Sequence, residues 1–207
     1  MIRQDFNHPC IILWGFMNEG HSHRAYARAA YGELLRLVRA EDPTRLVTYA
    51  SNHGLDDLFL EEADVVSFNL YPGWYEGDPD AARPLEAIVP ALRDRVDGLH
   101  RRGLADKPFL VSEIGAGALY GWHDVHRGFW TEEYQADVLE RVCAEVVSNP
   151  AIAGVALWQF CDTRTYQGIR ARTRPRAYNN KGLLDEYRRP KSAYETVRRI
   201  FTRAPSA

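Results

Sequence analysis

Apolar runs of strand length alternate along this chain with stretches in which apolar residues recur every three or four positions. The first run, Cys10 to Phe16 (CIILWGF), predicts a buried strand. Residues 23–41 then carry Tyr26, Ala30, Leu34, Leu37 and Val38 at helical spacing. The DPTR that follows breaks this helix, and Arg45 to Ser51 (RLVTYAS) predicts a second strand. Gly54 to Ala63 (GLDDLFLEEA) predicts a short helix, Asp64 to Tyr71 (DVVSFNLY) a third strand, and Leu85 to Arg102 a helix beyond a long loop. Lys107 to Gly115 (KPFLVSEIG) predicts the fourth strand, Thr131 to Ser148 another helix, and Ile152 to Phe160 (IAGVALWQF) the fifth strand. A turn and a last helix of about ten residues close the pattern. Strand–helix alternation without hairpin turns predicts a parallel sheet covered by helices. With no repeat and no low-complexity linker, the parse is one domain over 1–207.

Each strand candidate ends in polar or aromatic residues: Asn18-Glu19, Ser51-Asn52-His53, Asn69 and Tyr71, Glu113, and Trp158 to Asp162. Polar groups at the carboxyl ends of all parallel strands mark the active face of a (β/α)₈ barrel. An open doubly wound sheet would gather them at one switch point instead. The expected fold is therefore α/β, of the TIM-barrel kind. Two apolar segments, ILWGFMNEG and PFLVSEIGAG, each end by presenting a glutamate, Glu19 and Glu113. Such a pair is what glycoside hydrolysis requires, one carboxyl group to protonate the leaving oxygen and one on the other side of the anomeric carbon. Trp14, Tyr71, Trp74, Trp122 and Trp158 supply rings on which sugar faces stack. The pattern alone indicates carboxylate chemistry without choosing the reaction.

Composition narrows the classes. The 207 residues are 45% apolar and 12% aromatic with a net charge of -2, so no basic field favours nucleic acid or an anionic membrane. Three cysteines argue against a disulfide framework and fit a reducing compartment. The amino terminus has no apolar core of signal-peptide length, and the chain reads as soluble and cytoplasmic. His21, His23, His123 and His126 match no zinc spacing, so neither metal nor cofactor is expected. Cys161 is read as a packing residue, and Asp162 as either orienting an arginine or capping a loop.

RQDFNHPCIILWGFMNEG resembles the acid/base motif of glycoside hydrolase family 2, in which an Arg-Asp-x-x-Asn-His-Pro run enters a strand ending Asn-Glu. One residue is inserted here between Arg3 and Asp5. PFLVSEIGAGALYGWHD resembles the nucleophile strand of that family, and FNLYPGWY the Asn-x-Tyr strand beside it. GVALWQFCDTRT and NNKGLLDEYRRPKSAY resemble its last strand and closing segment. The resemblance implies a retaining exo-β-glycosidase with Glu19 as general acid/base and Glu113 as nucleophile. It implies that Asn18 bonds the sugar 2-hydroxyl, that Asn69 and Tyr71 come from the strand beside the nucleophile with Tyr71 against Glu113, and that Trp158 walls the sugar subsite. NNKG resembles the Asn-x-Lys motif by which β-glucuronidases grip the uronate, so Asn179 and Lys181 are implied in substrate binding. One arginine of Arg170 to Tyr178 (RARTRPRAY), otherwise a solvated loop, is a candidate to assist. β-Galactosidase is the alternative within the family, and an inactive or sugar-binding half-barrel fragment the alternative of another class. The family's catalytic domain has eight strands, and this chain opens at what should be the fourth. The expectation is thus the carboxyl-terminal portion of a barrel, about five strands, as a fragment, from a start other than the natural one, or completed by upstream domains or a second copy.

Overall fold

The computed structural model describes residues 1–75, 85–166, 168 and 172–203. Its elements in chain order are α1 (Ile2–Asp5), β1 (Leu13–Asn18), α2 (Arg28–Glu41), β2 (Leu46–Ser51), β3 (Val66–Asn69), α3 (Ile88–Arg101), β4 (Phe109–Ile114), α4 (Glu132–Ser148), β5 (Gly154–Leu157), β6 (Thr163–Arg164), β7 (Tyr178–Asn179) and α5 (Ser192–Arg203). Five strands form a sheet in the order β1-β2-β3-β4-β5, and β6 with β7 a small antiparallel pair. β1, β2 and β3 run parallel, Leu13 opposite Leu46 and Ala50 opposite Ser67. Strand order that follows chain order, with helical crossovers, is the arrangement of part of a (β/α)₈ barrel. Among the described residues no helix is long and apolar enough to cross a membrane.

Two compact units make up the chain. The first comprises Met1–Leu70, Arg93–Ser112 and Ala151–Gly154. Strand alternation sends Val47 and Tyr49 of β2 into its core, where they pack with Trp14, Ala27, Tyr31, Leu35 and Val38. The other face carries small and polar groups: the Thr48 and Ser67 hydroxyls lie 2.7 Å apart, and a cavity of about 360 Å³ opens over Gly15, Thr48, Ala50, Ser67 and Ser112. Buried Asp42 ends α2 and accepts hydrogen bonds from the Thr44 hydroxyl (2.5 Å), the Trp14 indole (2.8 Å) and Arg45 (2.6 Å). These partners, the Thr44 hydroxyl foremost, hold its carboxyl well below the usual range against the opposing effect of burial.

Three expectations change here. The first strand begins at Leu13, because Arg45 draws the carbonyls of Phe6 and Ile11 (2.9 and 2.8 Å) into a turn that keeps Cys10 to Ile12 out of the sheet. The buried stripe of α2 is Tyr31, Leu35 and Val38, while Tyr26, Ala30 and Leu37 are exposed. Residues 54–63 form two short 3₁₀ turns, Gly54–Asp56 and Leu60–Glu62, in place of a helix. Asp57 between them accepts from the Phe59 amide (2.8 Å) and the Tyr49 hydroxyl (2.7 Å), which competes with helical bonding.

The second unit comprises Tyr71–Leu92, Glu113–Pro150 and Val155–Ala207. Helix α4 starts at the expected place because the Thr131 hydroxyl caps it, accepting from the Tyr134 amide at 3.1 Å. It packs on α5 through Leu139, Cys143, Ala193 and Val197. Burial pushes the Cys143 thiol up to about 12. Glu132 in the first turn of α4 accepts from the Ser192 amide (2.6 Å) and hydroxyl (2.9 Å), tying the start of α5 to the start of α4.

Candidate active site

In the first unit Asn18, Glu19 and Asn69 come together. The Asn69 amide nitrogen donates to Asn18 Oδ1 (2.9 Å) and to Glu19 Oε1 (3.0 Å), while Asn69 Oδ1 accepts from the Ser112 hydroxyl (2.8 Å). Both ends of the Asn69 amide are engaged, so its orientation is fixed, and so is the carboxylate it holds. Glu19 has a φ of 53°, in the left-handed region that side chains with a Cβ seldom adopt. Its amide donates to the Ala50 carbonyl (2.9 Å), which secures that backbone at the carboxyl end of β1. Strained backbone of this kind gathers at functional sites.

In the second unit the Tyr71 hydroxyl donates to Glu113 Oε1. The same tyrosine ring faces Lys181, whose Nζ lies 5.5 Å from its centroid, 5.2 Å from that of Trp74 and 4.5 Å from that of Tyr75. Lys181 is buried, and its ammonium donates to the Tyr75 hydroxyl at 2.6 Å. A half-buried carboxylate and a buried cation thus share one tyrosine, and an aromatic surround of this kind favours a cation. Asn179 is also buried, and its Oδ1 has no hydrogen-bond partner among the described residues. Trp158 is 41% exposed, and its amide donates to the Ile114 carbonyl (2.8 Å) at the end of β4. A Cβ at Gly115 would collide with the Trp158 carbonyl, so glycine is required there.

Neither Tyr75, beyond its place in an aromatic loop, nor Lys191 carried a signal at the level of sequence. Lys191 resolves the question of Asp162: its Nζ lies 2.8 Å from Asp162 Oδ1, and both side chains are buried. Burial lowers the Lys191 ammonium and raises the Asp162 carboxyl from their ordinary ranges, while their mutual attraction opposes both changes. Arg176 pairs with Glu186 and Arg174 donates to the Thr165 hydroxyl (3.0 Å), whereas Arg170 and Ala171 fall outside the described residues. His21 bonds the Tyr26 hydroxyl (2.5 Å) and His123 pairs with Glu133 (2.6 Å). Among the described residues no group of three or more His, Cys, Asp or Glu could hold a metal ion.

Comparison with known proteins gives a consistent picture. The family described as "Glycosyl hydrolases family 2, TIM barrel domain" matches residues 1–204. The β-glucuronidase of Rattus norvegicus is 31% identical over 206 residues, which is 98% of this chain and 30% of that protein. Among solved structures, a GH2 β-galacturonidase from Eisenbergiella tayi bound to galacturonate is 39% identical with a TM-score of 0.88, over 98% of this chain and 35% of that one. A Bifidobacterium dentium β-glucuronidase complexed with coumarin-3-O-glucuronide is 34% identical with a TM-score of 0.82, over 97% of this chain and 32% of that one. The chain therefore spans about a third of the length of the relatives it matches.

Proposed function

We propose that this chain, which belongs to the TIM-barrel domain of the glycosyl hydrolases of family 2, carries the catalytic groups of a retaining exo-β-glycosidase acting on β-uronides, β-D-glucuronides first. The observation that carries the reading is Tyr71, which donates to the Glu113 carboxylate and offers its ring to the buried Lys181 ammonium. A uronic acid presents an anomeric carbon and a carboxylate on one ring, and this arrangement offers a nucleophile for the first and a cation for the second.

In this mechanism Glu113 attacks the anomeric carbon and forms a glycosyl ester, while Glu19 protonates the departing oxygen. Glu19 then takes a proton from water, whose oxygen attacks the anomeric carbon and breaks its bond to Glu113, releasing the sugar and a free Glu113 carboxylate. Asn69 steadies Glu19 through the 3.0 Å hydrogen bond and occupies the oxygen of Asn18, leaving the Asn18 amide hydrogens for the sugar 2-hydroxyl. Lys181 and the Tyr75 hydroxyl meet the uronate, the unpartnered Asn179 Oδ1 accepts from a sugar hydroxyl, and Trp158 lines the sugar subsite.

The test compares aryl β-D-glucuronide, β-D-galacturonide and β-D-galactoside with one leaving group. Both uronides are expected to exceed the neutral galactoside in kcat/KM, and a galactoside hydrolysed fastest would discard the uronide reading. A β-galacturonide as the better of the two is the second reading, favoured by the 39% identity to the Eisenbergiella tayi β-galacturonidase. Uronate binding without turnover of any substrate would leave a sugar-binding function in place of catalysis.

A further inference from the structure

The Asp162–Lys191 pair lies outside the groups assigned to the reaction, yet its contacts converge on one residue. The Lys191 ammonium donates to Asp162 Oδ1 (2.8 Å), the Ala118 carbonyl (2.7 Å) and the Asn180 carbonyl (3.1 Å). These contacts use its three hydrogens, so it has no donor to spare for a ligand. Asp162 Oδ1 also accepts from the Gly182 amide at 2.9 Å. The Asn180 carbonyl belongs to the peptide group before Lys181, and the Gly182 amide to the peptide group after it. Each charge of the pair therefore holds one of the two peptide planes that flank Lys181. With both planes held, the backbone dihedrals of Lys181 are fixed, and so is the direction in which its side chain leaves the chain.

Neighbouring contacts tighten the same three residues. The Lys181 carbonyl accepts from the Gln159 amide (2.9 Å), the Asn180 carbonyl from the Ala118 amide (2.9 Å), and the Gly182 carbonyl from the Gln135 side chain (3.0 Å). A Cβ on Gly182 would collide with the backbone of Cys161, Asp162 and Leu184, so this close approach requires glycine.

We propose that the buried Asp162–Lys191 pair is a positioning device for Lys181, setting its ammonium where a substrate carboxylate must meet it. This rests on the uronide reading, because only a charged sugar feels the placement of that ammonium. A buried pair that merely supports the fold would affect all substrates alike. One that aims Lys181 affects charged substrates selectively.

The test uses the double variant Asp162→Asn/Lys191→Met, which removes both charges at similar volume and strands neither. On an aryl β-uronide, kcat/KM is expected to fall roughly tenfold to a hundredfold, mainly through KM, as for a displaced binding group. On the aryl β-galactoside with the same leaving group it should change less than about threefold. Equal losses on both substrates overturn the proposal. A crystal structure of the variant supplies a readout independent of turnover: the 2.6 Å contact between Lys181 Nζ and Tyr75 Oη should be broken, and an intact contact overturns the proposal. Failure of the uronide reading itself would show in the unsubstituted protein, as no preference for the uronide, and the positioning role would then be decided by that contact alone. Asp162→Asn is the second variant should the double one not fold. It is expected to show the same split between substrates and the same broken contact, and unaltered uronide kinetics in the folded protein contradict the role.

Discussion

Replacing Lys181 with alanine isolates what its ammonium contributes. Lys181 is 4% exposed, donates to the Tyr75 hydroxyl and lies against three aromatic rings. In Lys181→Ala a bound uronate would face the tyrosine hydroxyl and ring edges without the lysine ammonium. Breaking a buried ion pair by removing one partner costs about 3–5 kcal/mol. At about 1.4 kcal/mol per tenfold, that is a loss of roughly a hundredfold to several thousandfold in kcat/KM. A neutral sugar has no carboxylate to strand, so its hydrolysis should hardly change. The assay is kcat/KM for aryl β-D-glucuronide and aryl β-D-galactoside with one leaving group, alongside a thermal melt to exclude unfolding. Equal losses on the two substrates in a folded variant would make Lys181 a support of the aromatic loop and not a reader of the substrate.

Glu113→Gln should lower turnover by several orders of magnitude, since the amide keeps the shape but cannot form the ester; more than a few per cent of residual rate on an activated aryl glycoside would contradict the assignment. Glu19→Ala should suffer least in the glycosylation step with good leaving groups and should be rescued by azide in deglycosylation; full rates on poor leaving groups without azide would remove Glu19 from the chemistry. Asp42 is held below the usual carboxylate range, so its contribution to stability is complete above about pH 4 and fades as the pH falls through its folded-state value. The difference in urea midpoint between the unsubstituted protein and Asp42→Asn should accordingly shrink in acid, and a difference independent of pH would contradict this.

Much of this fold follows from local patterns. The EDPTR stretch is a helix stop and strand entry because Asp42 gathers Thr44, Arg45 and Trp14, and two of those partners lie within three residues of it. Capping by Thr131 is similarly local and places the start of α4 correctly. The inner face of α2 was less legible, since two stripes of comparable apolarity lie side by side, Tyr26-Ala30-Leu34-Leu37 and Ala27-Tyr31-Leu35-Val38. Only the packing of Tyr49 and Phe59 against Tyr31 selects the second. The 54–63 segment has helical spacing, but its fate depends on Asp57 meeting Tyr49 from another strand, a contact that periodicity does not encode. Among the candidate site residues, the two glutamates stand out in the sequence because an apolar run that stops on a carboxylate is unusual. The Asp162–Lys191 pair was not, because its partners lie 29 residues apart in the chain and bind mostly backbone.

Trapping of the covalent intermediate is the most direct test of Glu113 as the nucleophile of a β-uronidase. The protein would be incubated with a 2-deoxy-2-fluoro-β-glucuronyl fluoride, which forms the glycosyl ester readily and releases it slowly, then digested and analysed by mass spectrometry. One fluoroglucuronyl adduct is expected, on the peptide containing Pro108 to Gly117 and at Glu113, with no adduct in Glu113→Gln. An adduct on Glu19 or another residue, or none under conditions where aryl β-uronides are hydrolysed, would contradict that assignment.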